Sequence, residues 1–181
     1  MVTNTPNYIE HEIKILDIDV AEVMLSLEKL SAVKVYDDER IATYFDNPQG
    51  DYAKANKSIR LTEEGKLKLS ITSVDDATNI KVVKVFTSRK QETVDFLAML
   101  GLFPTAVVQS HRISYEWQNV DFDIDQFPGI PAFMEIDINN LPISQAELLA
   151  KLGLQDNKIR QMGIPEVFAE YRVNCFEKFK V

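Results

Sequence analysis

Glu10, Glu12 and Lys14 stand at every second position of Tyr8-Ile9-Glu10-His11-Glu12-Ile13-Lys14, alternating with Ile9, His11, Ile13 and Ile15. On a strand this spacing puts the three charges in a row on one face. Two carboxylates suit a hard divalent cation, and an ammonium one step along suits the phosphate that such a cation carries. The plainer alternative is a half-buried strand whose charged side meets water. A second set of acids follows the same rule. Asp121, Asp123 and Asp125 oppose Val120, Phe122 and Ile124, while Glu135 and Asp137 oppose Met134, Ile136 and Ile138. Acids aligned on neighbouring strands repel unless cations or metal neutralise them. Arg60 between Ile59 and Leu61, Arg112 before Ile113, and Lys68 between Leu67 and Leu69 provide the opposite charge.

The elements that must position these residues are mainly strands. Val33 to Asp46 alternates, and Lys57–Thr62 and Lys66–Ser73 flank Glu63-Glu64-Gly65, a hairpin signal. Ile80–Thr87, Ala106–Trp117, Val120–Asp125 and Ala132–Ile138 complete about eight strands. Asp17-Ile18-Asp19 predicts one helix start, Ser88 with Gln91 a second and Ser144 with Glu147 a third. Gly101 and Gly153 predict helix ends, and the tail from Pro165 to Phe179 reads as helical. Short connections favour antiparallel pairing, and eight such strands form a sandwich or a barrel able to hold a ligand. A barrel would bring Glu10, Glu12, Asp123, Glu135 and Asp137 together.

A chain of 181 residues with 45% hydrophobic content fits one soluble domain with a real core. Its net charge of −8 argues against general nucleic-acid binding, which needs a basic face. No apolar run reaches membrane-span length and no signal peptide is visible, so no membrane association is expected. The only cysteine, Cys175, allows no intrachain disulfide and points to the cytoplasm. Two histidines, His11 and His111, are too few for a histidine-rich zinc site.

The sequence resembles the CYTH family, which includes class IV adenylyl cyclases and thiamine triphosphatases and is also called the triphosphate tunnel metalloenzymes. The resemblance rests on Glu10-His11-Glu12-Ile13-Lys14, Thr43-Tyr44-Phe45-Asp46, Ile59-Arg60-Leu61 and Ser114-Tyr115-Glu116. It continues through Asp123-Ile124-Asp125 and Pro128-Gly129-Ile130-Pro131 to Glu135-Ile136-Asp137, spanning about residues 8 to 175. It implies a single α+β domain over residues 1–181, with a helical C-terminal segment from about 144. The expected core is an eight-stranded antiparallel closed barrel with helices outside, enclosing a triphosphate tunnel. Glu10, Glu12, Asp123, Glu135 and Asp137 would hold Mg2+ or Mn2+. Lys14, Arg60 and Arg112 would be catalytic and, with Lys68, would bind the phosphates. The implied partner is a small triphosphate-containing molecule, and the resemblance also allows a homodimer.

Where relatives carry further cations, this chain has Thr62, Thr72 and Ser110, which implies a thinned basic wall. The activity so implied is metal-dependent triphosphate binding and hydrolysis, on an inorganic or an organic triphosphate such as a nucleotide. A class IV cyclase-like reaction and a non-catalytic nucleotide or polyphosphate binder are the alternatives. No base for a ribose hydroxyl can be identified, which ranks hydrolysis above cyclisation.

Overall fold

The computed structural model describes residues 8–10, 12–76, 79–138 and 141–173. Its elements run β1 (Tyr8–Glu10), β2 (Glu12–Ile15), α1 (Val20–Lys29), β3 (Val33–Asp46), α2 (Asp51–Lys54), β4 (Lys57–Glu64), β5 (Lys66–Asp76) and β6 (Asn79–Thr87). They continue with α3 (Lys90–Met99), β7 (Phe103–Trp117), β8 (Val120–Gln126), β9 (Phe133–Asp137), α4 (Gln145–Leu152), β10 (Ile159–Arg160) and α5 (Ile164–Glu170). Among the described residues the architecture is α+β, mostly antiparallel sheet with five helices.

The chain divides into two compact units. The first comprises Met1–Glu10, Arg40–Gln109 and Asn174–Val181, and the second His11–Glu39 and Ser110–Val173. Strands β3 and β7 contribute to both. In the first unit the strand order is β1-β6-β5-β4-β3-β7, and in the second it is β3-β7-β8-β9-β2-β10. Two expectations are corrected here. Among the described residues ten strands are formed rather than eight, and their pairing order runs from β1 to β10 without the closure expected of a barrel. Within the stretch Tyr8–Lys14, β1 pairs with β6 (Glu10 opposite Ile80) and β2 pairs with β9 and β10, and His11 between them lies outside the described residues.

In the first unit, period-two alternation produces two unlike faces. Phe45, Ile59, Leu61, Leu69 and Ile71 share the side against which α3 packs Val94 and Leu97. Residues between them must face the other way. Gly65, at φ +66°, provides the left-handed step of the tight β4–β5 turn. Helix α3 begins at Lys90 behind Arg89, which caps it with no side-chain bond, so the expected Ser88–Gln91 capping box does not form.

The second unit repeats this logic. Ile13, Ile15, Ile113, Tyr115, Phe122, Ile124, Met134 and Ile136 form one buried sheet face. It packs on Val23 and Leu27 of α1 and on Leu148, Leu149 and Leu152 of α4. Each such side chain contributes about 1.5–3 kcal/mol by leaving water. The helix signals hold here: Asp19 accepts from the Glu22 amide, Ser144 accepts from the Glu147 amide at 3.2 Å, and Gly153 ends α4 at φ +73°. In the tail, helix α5 is short, and residues 174–181, Cys175 among them, lie outside the described residues.

Candidate functional site: an acidic cluster and a cationic row

The polar face of the second unit carries most of the predicted acids. Pairing sets Glu12 opposite Asp137, Lys14 opposite Glu135, Asp123 opposite Glu135, and Arg112 opposite Asp125. Residues directly opposite share a face, so these charges form one patch. Arg112 lies at its centre. Its Nε donates to Asp125 Oδ1 at 2.8 Å, Nη2 to Asp125 Oδ2 and, at 2.9 Å, to Glu135 Oε2, and Nη1 to Asp123 Oδ2. Lys14 Nζ reaches Glu135 Oε1 at 2.9 Å and Glu12 Oε2 at 3.5 Å. Ser114 Oγ bonds Asp123 Oδ1.

Lys14, Arg112 and Asp125 are buried, the last completely. Burial works to lower the pKa of Lys14, but Glu135 and Glu12 outweigh it and the ammonium titrates above its usual range. Burial likewise opposes the charge on Arg112, and Asp125, Asp123 and Glu135 override it. Around Lys14 and Arg112 stand Glu12, Asp123, Asp125, Glu135 and Asp137, so carboxylates outnumber the cations among them. All-oxygen donors with surplus negative charge fit Mg2+ or Mn2+ in type. Even so, among the described residues no three acidic, histidine or cysteine groups converge as metal ligands. The carboxylates are held by the arginine and the lysine. Glu10 belongs to the first unit, and its side chain lies outside the described residues.

The polar face of the first unit has the opposite sign. Register places Arg60 opposite Tyr44 and Ser70, Thr62 opposite Lys68, and Lys84 opposite Ser70. Arg40, with 5% of its side chain exposed, donates from Nε to Glu64 Oε2 at 3.1 Å, while Lys68 is ion-paired with Glu64 Oε1. By register Arg40, Arg60, Lys66, Lys68 and Lys84 lie on the same face as Glu64, so bases predominate there among the described residues. Burial lowers the pKa of Lys68, Glu64 opposes that, and Lys84 and Arg60 add to the lowering.

The predicted site residues thus fall into two groups. Glu12, Lys14, Arg112, Asp123, Glu135 and Asp137 share a face of the second unit, whereas Arg60 and Lys68 share a face of the first. Thr62 and Ser110 are buried hydroxyls, with no hydrogen-bond partner among the described residues. Arg40, Glu64, Lys84 and Asp125 escaped the sequence reading as site residues. Asp125 shares the parity of Asp123, and Arg40 lies two residues before Ala42 on the alternating strand, so the signal was present.

A model of the CYTH domain matches residues 8–162. This chain belongs to the CYTH family. Its fold is similar to that of a candidate adenylate cyclase from Vibrio parahaemolyticus, at TM-score 0.73 and 14% identity over 90% of this chain and 99% of that one. A Pyrococcus horikoshii OT3 protein gives TM-score 0.66 and 18% identity, covering 87% and 99% of the two chains. A candidate adenylyl cyclase from Hippeastrum with a dominant triphosphatase activity gives 0.65 and 15%, covering 92% and 99%. No curated protein matches by sequence. Among the described residues, no helix of this CYTH protein is long and apolar enough to cross a membrane.

Proposed function

We propose that this CYTH protein binds a small triphosphate through the cationic row and hydrolyses it with the help of a divalent cation. The observation that carries the reading is the row itself: Arg60, Lys68, Lys84 and Arg40 on one face, with Glu64 bridging two of them. A triphosphate bearing about four negative charges is the class of ligand such a row suits, because charge-assisted hydrogen bonds to phosphate are strong and arginine binds it with a fixed fork. Arg60 and Lys68 are assigned to the phosphates and to the charge that develops on the transferred and leaving groups.

Glu12, Asp123, Glu135 and Asp137 are the residues that would hold Mg2+ or Mn2+, the ions the resemblance implies. When bound, such an ion would supply Lewis-acid charge for phosphoryl chemistry. Lys14 and Arg112 hold Glu135 and Asp123 in place. A nucleotide is the second reading of the substrate. It is favoured by Phe86, 66% exposed, on the same face as Lys84 and directly opposite Lys68, where a base could stack.

The test is thermal unfolding and calorimetry with tripolyphosphate, with and without Mn2+, followed by measurement of released phosphate. Tripolyphosphate is expected to raise the melting temperature, more so with the metal, and orthophosphate to appear. Binding without release favours the non-catalytic reading. No binding of tripolyphosphate or ATP removes the proposal.

A further inference from the structure

Within the cationic row, Glu64 occupies the place between two of the bases. Strand β4 lies between β3 and β5. The pairing of Ile41 with Glu63 brings Arg40 beside Glu64, and Lys68 lies opposite Thr62 on the other flank. Oε2 of Glu64 accepts from Arg40 at 3.1 Å, and Oε1 is ion-paired with Lys68. Arg40 is nearly buried, and Glu64 and Lys68 are each 18% exposed. Glu63, one residue earlier, faces the other way and pairs with Lys90 of α3 at 2.7 Å in a more exposed setting.

We infer that Arg40 and Lys68 form a phosphate subsite whose resident occupant is the carboxylate of Glu64. The inference rests on the proposed triphosphate reading and deepens it. Two carboxylate oxygens accept the same charge-assisted bonds as two oxygens of a phosphoryl group. Being tethered, the carboxylate competes at a high local concentration. It gives a nearly buried guanidinium a charged partner when no ligand is bound. A triphosphate brings more charge and more oxygens, and displaces it. Glu64 therefore stabilises the empty row and sets a ceiling on affinity. Arg40, absent from the sequence-derived set, becomes a phosphate-binding residue.

The test is calorimetry with inorganic tripolyphosphate on the full chain. Glu64→Gln should bind about tenfold tighter than the unaltered protein, with a steeper loss of affinity in salt and a lower melting temperature without ligand. Glu63→Gln should bind as the unaltered protein does. Adding Arg40→Gln to Glu64→Gln should abolish the gain. Glu64→Asp retains the charge but withdraws it by one methylene, and should give an intermediate affinity, so the inference remains testable even where Glu64→Gln folds poorly. Equal or weaker binding by both Glu64 variants, while Arg60→Gln still weakens binding, overturns the subsite and leaves the triphosphate reading intact. Absence of binding in every variant, Glu64→Gln included, overturns both.

Discussion

The two units use one construction to opposite electrical ends. Each sets a sheet face against helices with Ile, Leu, Val and Phe, and turns its charges to the other side. In the second unit Lys14 and Arg112 hold four acids, Glu12, Asp123, Asp125 and Glu135, and in the first Glu64 holds two bases, Arg40 and Lys68. The minority charge is the clamp in both. Arg112 uses Nε, Nη1 and Nη2, and Glu64 uses both its oxygens. The clamps differ in burial: Arg112 is the more enclosed, with Asp125 wholly so, whereas Glu64 keeps some access to water although its partner Arg40 is nearly buried. The acidic cluster should therefore dominate stability, and the cationic row should dominate ligand response.

The largest expected effect tests the clamp of the acidic cluster. Arg112→Met leaves Asp125, Asp123 and Glu135 without their common partner in a nearly dry setting, and should cost about 3–5 kcal/mol in urea unfolding. The loss should shrink on acidification, as the stranded carboxylates take up protons. Lys84→Gln, in the exposed part of the row, should change stability by less than about 0.5 kcal/mol. Similar losses in the two variants would erase the distinction between the regions.

Next in size is metal affinity, which should belong to the acidic cluster alone. Glu12→Gln and Glu135→Gln are each expected to weaken Mn2+ binding by about 10–100-fold in calorimetry, since each removes a hard oxygen from a charge-balanced set. Glu63→Gln, whose partner is Lys90, should not. Equal affinities in all three would exclude the metal site. For the row, Arg60→Gln should weaken tripolyphosphate by about tenfold, or about 1.4 kcal/mol, while Mn2+ binding without phosphate remains unaltered. Loss of both ligands together would mean that the variant had disturbed the fold instead.

Much of this was legible in strand periodicity. The parity of Asp123 against Ile124, of Glu135 against Ile136 and of Arg60 against Ile59 assigned each to its polar face, because a period of two leaves only two choices. Pairing between strands distant in sequence was not legible. Nothing local separates Glu10 from Glu12, yet one lies on a strand paired with β6 and the other on a strand paired with β9. The number of strands and the way the sheet ends depend on that same long-range pairing. Thr62 drew attention as a missing cation, whereas Arg40, on the neighbouring strand, passed unnoticed because its partner Glu64 lies 24 residues away. The row is less thinned than its own strand suggests.

The smallest expected effect is in protons, and it sets one lysine against the other. The pKa of Lys14 is raised, since Glu135 and Glu12 outweigh its burial, whereas that of Lys68 is lowered by burial with Lys84 and Arg60 nearby. A raised lysine contributes stability that is complete below the ordinary value of 10.5 and is lost as pH rises through its folded value. A lowered lysine does the reverse: between its folded value and 10.5 the unfolded chain holds more protons, so stability rises with pH across that window. Lys14→Met should therefore flatten the alkaline loss of stability, and Lys68→Met should remove an alkaline gain. Ligand adds a second reading. A triphosphate bound beside Lys68 favours its charged form, so binding on the alkaline side should take up protons and weaken as pH rises. Calorimetry of tripolyphosphate binding in two buffers of different ionisation enthalpy measures that uptake directly. Uptake that persists in Lys68→Met would place the proton elsewhere, and with it the phosphate.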